Sequence, residues 1–156
     1  MSDTIRSKRL EGTTLVVETK DGTETYDSKF LVAALLIFVA RGSGAIKPEE
    51  SAKMIDLIED HFHLQGAESL ELLTRAMSEM AEKPELSQIL TDLAPTLSDA
   101  DKEDIAVMAL KVIAADGRRE VAEMEKFNQA VEAIEISPQI VHRAFDRYFA
   151  ETMPGS

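Results

Sequence analysis

From about residue 28 onward apolar side chains return every three or four positions, whereas the first 27 residues hold short β-branched runs broken by Asp-Gly. The two rhythms predict two kinds of structure. Spacings of three and four share a helix face, and a spacing of two shares a strand face. Leu15-Val16-Val17-Glu18-Thr19-Lys20, then Asp21-Gly22, then Thr23-Glu24-Thr25-Tyr26 predicts a small β-hairpin over residues 13–26. Asp-Gly is a strong turn signal because glycine accepts the positive φ of a tight turn. A lone hairpin is marginal in water, so it must lean on helices or pair with another chain.

Asp27 and Ser28 suit the cap of a first helix running to about Arg41, apolar all round from Phe30 to Ala40, as in the centre of a bundle. Gly42-Ser43-Gly44 ends it, and Pro48 suits the first turn of the next helix, with Ala52, Ile55, Ile58 and Phe62 inward and Glu49, Glu50, Glu59 and Asp60 outward. After Gly66 the stripe is Leu70, Leu73, Met77 and Met80. Pro84 opens a short helix with Leu86, Ile89, Leu90 and Leu93 inward, closed by Pro95. Ser98 with Asp101 reads as a capping pair before a helix carrying Ile105, Met108, Val112 and Ala115. Asp116-Gly117 ends that helix. The next has Val121, Met124, Phe127, Val131 and Ile134, and the last, opened by Ser137-Pro138, has Ile140, Val141, Ala144, Phe145, Tyr148 and Phe149.

Residues 34–50 align with 109–125 without a gap: Arg41 falls on Asp116, Gly42 on Gly117, Ile46 on Val121 and Glu50 on Glu125. Each half reads as apolar helix, glycine turn, branched apolar residue and Glu-rich helix start. The expected fold is therefore all-α, a bundle of about six or seven helices built from a duplicated helix-turn-helix unit, with the hairpin appended. The expected organisation is a tail and hairpin over residues 1–27, one helical domain over 28–150 and a flexible tail over 151–156.

Composition narrows the chemistry. Twenty-nine acidic against 17 basic residues give a formal charge of -12, which disfavours nucleic acid and anionic lipid and favours cations or basic partners. There is no cysteine, so disulfides, thiolate metal sites and cysteine nucleophiles are excluded. The apolar run Phe30–Ala40 spans about half a bilayer core, so no membrane insertion is expected. The N-terminus has no apolar stretch resembling a secretion signal, and a cytoplasmic location is the default expectation.

The helix–glycine–helix residues carry a family resemblance. Ala114-Ala115-Asp116-Gly117-Arg118-Arg119-Glu120-Val121-Ala122-Glu123-Met124-Glu125, its first copy Val39-Ala40-Arg41-Gly42-Ser43-Gly44-Ala45-Ile46-Lys47-Pro48-Glu49-Glu50, and Leu97-Ser98-Asp99-Ala100-Asp101-Lys102 resemble the TerB-like family, named for bacterial tellurite resistance. Arg41 departs from that family's usual aspartate, and Arg118-Arg119 put two cations beside the acidic turn. The resemblance implies a helical bundle, a bacterial stress context, divalent-metal binding and a protein partner associated with membranes, without catalysis.

The candidate metal ligands are Asp116, Glu120, Glu123 and Glu125, with Glu49 and Glu50 at the matching place in the other half. Clustered carboxylates suit a hard cation such as Ca²⁺ or Mg²⁺. Capping and surface charge explain the same residues, since a helix start stabilises negative charge by about 0.3–1 kcal/mol. His61 and His63 flank a core phenylalanine without a third ligand and read as helix-end histidines. Gly42-Ser43-Gly44 lacks the Gly-Lys-Ser/Thr ending of a phosphate loop and reads as a turn. Met54, Met77, Met80, Met108 and Met124 fall at core spacing. The expectation is a non-enzymatic binding or sensing module meeting a divalent cation and a partner protein. The alternative is a plain interaction or dimerisation domain with no metal role, pairing through the hairpin or an apolar face into a homodimer.

Overall fold

The computed structural model describes residues 5–83, 90–115 and 121–152. Three strands, β1 (Ile5–Glu11), β2 (Thr14–Thr19) and β3 (Gly22–Tyr26), form an antiparallel sheet in the order β1-β2-β3. Six α-helices come after the sheet among the described residues: α1 (Ser28–Ala40), α2 (Pro48–Phe62), α3 (Gly66–Glu82), α4 (Asp99–Ile113), α5 (Val121–Ala133) and α6 (Pro138–Thr152). Short 3₁₀ segments cover Arg41–Ser43 and Leu90–Thr96.

The hairpin formed where the Asp-Gly turn placed it, but a third strand precedes it. Only Leu10 and Ile5 in β1 are large and apolar, so the strand gave little hydrophobic signal. Gly12 at φ 63 makes the connecting turn, with Glu11 paired to Thr14. Leu15, Val17 and Tyr26 close the sheet over the bundle, and Lys8 Nζ meets Asp92 Oδ2 at 2.6 Å on the 3₁₀ segment below.

Asp27 caps α1 by accepting from the Phe30 amide at 3.1 Å. That helix is central, with nine of its thirteen residues buried, as its unbroken apolar run requires. It packs on α3 within its own half and on α4 and α5 across the molecule, while α4 packs on α6 and α2 reaches across to α4. Ser98 and Asp101 exchange side-chain-to-amide hydrogen bonds at 3.0 and 3.1 Å, the expected capping pair of α4.

The two halves match. Phe30, Leu31, Val32, Ala33, Ala34 and Ile37 are buried, and so are their counterparts Ile105, Ala106, Val107, Met108, Ala109 and Val112. The match reaches further than one helical hairpin. Both second helices end in a left-handed residue, His63 at φ 57 and Glu135 at φ 58. The next amides, of Leu64 and Ile136, donate back to Glu59 and Val131 carbonyls at 3.0 and 2.9 Å. These are paired Schellman-like endings that turn the chain into the third helix of each half.

Four expectations fail. The gapless alignment does not survive the second helices: Glu50, eight residues after Gly42, and Glu123, six after Gly117, are the buried acids, so the second linker is two residues shorter. Val121, aligned with half-buried Ile46, is 76% exposed. Glu50, expected on the surface, is wholly buried, and Ala52, expected inside, is exposed, because α2 is phased on Glu50, Met54 and Ile58. Leu70 lies 54% exposed because α3 turns Ser69, Leu73, Ala76 and Glu79 inward. Met54 and Met108 are in the core as expected, with Met77, Met80 and Met124 packed against it. The short helix expected from Pro84 falls largely outside the described residues. The 3₁₀ segment over Leu90–Thr96 buries Leu90 and Leu93 and contains Pro95.

Candidate functional site

Pro48 is the first residue of α2, and Lys47 before it is extended at φ -79, ψ 152. This puts Glu50 in the third helical position, where its Oε1 accepts from the Lys47 amide at 3.0 Å. The bond holds the side chain inward at 0% exposure, and Oε2, also buried, has no hydrogen-bond partner among the described residues. A buried carboxylate is costly unless its charge is met, and the amides of a helix start meet it only in part. At the start of α5, Glu123 is 1% exposed. Glu49 and Glu125 are exposed.

The first glycine corner meets the opposite half. A Cβ on Gly42 would stand 2.7 Å from both the Ala122 carbonyl oxygen and the Glu123 Cα, so the first half's corner rests on the second half's helix start. Glycine is required there by close approach. Conversely, Ala114 and Ala115, closing α4, share a cleft of about 530 Å³ with Glu49, Ala52, Lys53 and Asp56 of α2. Lys111, Tyr148, Glu151 and Thr152 also line it. Asp116 and Glu120 lie outside the described residues. Among the described residues no three His, Asp or Glu side chains come together to hold a metal.

His61 Nδ1 is 3.8 Å from Asp104 Oδ2, and its ring meets Phe62 edge-on at 4.6 Å. His63 serves as the left-handed residue that ends α2. His142 Nδ1 pairs with Asp146 one turn on at 3.3 Å. Gly42-Ser43-Gly44 is a turn, with Gly44 at φ 102.

Two polar clusters escaped the sequence reading. Glu79, on α3, is buried under the sheet: Tyr26 donates its hydroxyl to Oε1 at 2.8 Å, and Lys83 Nζ, on a 4% exposed side chain, lies 3.2 Å away. Arg75 Nε faces Oε2 at 2.6 Å, through charge rather than a well-aligned hydrogen bond, while its guanidinium covers the Tyr26 and Phe30 rings at 5.4 and 4.9 Å. Burial first, then the bond to Glu79, holds the Tyr26 hydroxyl protonated far above its usual range. The sequence signal was available in Arg75, Glu79 and Lys83 at successive four-residue steps. The second cluster ties α4 to α6. Arg147 Nη1 meets Asp104 at 2.7 Å and Glu103 at 3.0 Å, and Arg143 Nε meets Glu103 at 2.9 Å. These hydrogen bonds, Arg147's foremost, hold the Glu103 carboxyl below the usual carboxylate range. Lys111 does the same for Glu151.

Fold and corner geometry define a duplicated helical bundle with buried acids at its second-helix starts. The family model described as "Tellurite resistance protein TerB" matches residues 29–146, and the chain belongs to that family. In three dimensions it is similar to the crystal structure of a protein of unknown function, PG1108, from Porphyromonas gingivalis W83. The TM-score is 0.59 with 18% identity, over 79% of this chain and 89% of that one, a likeness of fold. None of the curated proteins compared with the chain matches it. No described helix is long and apolar enough to cross a membrane.

Proposed function

We propose that the chain is a non-enzymatic binding or sensing module of bacterial metal or oxyanion stress, in which an acidic corner takes Ca²⁺ or Mg²⁺ and docks a partner protein. The observation that supports this most is Glu50, a buried carboxylate with one oxygen engaged by the Lys47 amide and the other without a partner among the described residues. Hard cations collect several carboxylate and carbonyl oxygens. Glu49 shares the cleft with the end of α4, Glu50 follows it in sequence, and Asp116 comes directly after Ala115 in sequence. The described residues alone do not make a ligand set, so the reading requires Asp116 or Glu120 to complete it. A bound cation would meet the Glu50 oxygen that has no partner among the described residues and would join the two halves.

Calorimetric titration of the metal-free protein with Ca²⁺ and with Mg²⁺ tests this against Asp116→Ala and Glu50→Gln. Ion at tenfold its dissociation constant contributes about 1.4 kcal/mol, which raises the melting temperature by about 3–6 °C for a chain of this size. Both substitutions should abolish the rise. No shift at millimolar ion overturns the metal reading, and a tight dimer indifferent to metal in light scattering favours plain assembly instead.

A further inference from the structure

The second helices differ at two places that face the opposite half. Between its buried acid and its left-handed end α5 is one residue shorter than α2, so the ends of the two helices are matched by counting back from His63 and Glu135, which sets Ile58 against Ala130 and His61 against Ala133. Ile58 is wholly buried and fills its position. The alanines of α5 leave a slot of about 260 Å³, walled by Leu31, Leu35 and Phe38 of α1, Met80 of α3 and Leu90. Among the described residues its lining is almost entirely carbon, with Gln129 and Thr91 as the polar side chains. Empty apolar space loses dispersion contacts on every side, so a slot of this kind favours an apolar occupant.

One cation marks its rim. Lys126 precedes Gln129, Ala130 and Ala133 on the same stripe of α5, and its Nζ sits 5.0 Å from the centroid of the Phe38 ring that lines the slot. Lys126 is half-buried and forms no ion pair among the described residues, in a chain of net charge -12. At about 30 Å³ per water-sized group the slot holds a chain of roughly eight to ten carbons. The geometry points to a binding site for a medium-chain fatty acid, with its tail between α1 and α5 and its carboxylate on Lys126 and Gln129. This site is independent of the acidic corner.

Ligand-observed NMR and calorimetry on the full chain, with hexanoate, octanoate, decanoate and neutral decanol, test the assignment. Affinity should rise about three- to fourfold per added methylene until the slot is full. Lys126→Gln should weaken decanoate about three- to fivefold and leave decanol unchanged. Ala130→Ile, which gives the slot the side chain its counterpart carries, should abolish binding while the melting temperature holds or rises. Should that variant not fold, Ala133→Phe at the exposed rim blocks the same entrance. Absence of saturable binding by decanoate overturns the site, as does binding that survives a folded blocking variant. Decanol binding as tightly as decanoate, with Lys126→Gln indifferent, overturns the assignment of a fatty acid.

Discussion

Glu79 and Glu50 are both glutamates buried in helices, yet their surroundings are opposite. Around Glu79 the protein supplies a lysine, an arginine and a tyrosine hydroxyl, and the cluster pins the sheet to α3. Around Glu50 the described residues supply one backbone amide and no cation. A carboxylate surrounded by its own cations has no need of a further one and serves the fold. One held in place with its charge unmet can accept a cation from outside. Burial alone therefore does not distinguish a structural acid from a ligand, whereas the count of opposing charges does.

The largest effect should come from removing the Glu79 carboxylate. Glu79→Ala leaves Lys83 buried without its counter-charge and should cost about 3–5 kcal/mol in urea unfolding. A loss under about 1 kcal/mol would mean that the cluster is not what holds the sheet. Next is Gly42→Ala, where the new methyl meets the backbone of Ala122 and Glu123 and should cost about 1–3 kcal/mol. An unchanged unfolding midpoint would show that the two halves do not touch there.

Smaller again is Arg147→Gln, worth about 1 kcal/mol at neutral pH because Arg147 is partly exposed. The sign with pH is set by Glu103 and Glu151, whose folded values are lowered. Their contribution is present above the unfolded carboxylate value of about 4.5 and is lost as pH falls through the lowered folded values. Arg147→Gln should therefore flatten the acid limb of a stability–pH curve, and a parallel shift of the whole curve would contradict it. The smallest effect is expected from Glu50→Gln in metal-free protein, within about 1 kcal/mol, because the amide oxygen still accepts from Lys47. A cost matching that of Glu79→Ala would erase the distinction between the two glutamates.

Local rules were enough for much of this architecture. Asp-Gly located a hairpin, Asp27, Pro48, Ser98 and Pro138 located helix starts, and the uninterrupted run from Phe30 to Ala40 marked the central helix. Such signals are read within one turn of chain, where backbone sterics and capping act. The duplication was legible for the same cause, though not its two-residue gap, since a linker's length is invisible to a periodic pattern. Strand β1 was missed because it is almost wholly exposed and exists through its backbone pairing with β2, which no apolar pattern records. The choice of inward glutamates belongs to the assembled fold. Glu50 and Glu123 are indistinguishable in sequence from exposed Glu49 and Glu125, and only the four-residue spacing from Arg75 and Lys83 sets Glu79 apart from exposed Glu71. Which acid is enclosed, and whether a lysine or only an amide awaits it, is set when distant helices close over it, because burial and charge pairing are properties of neighbours far apart along the chain.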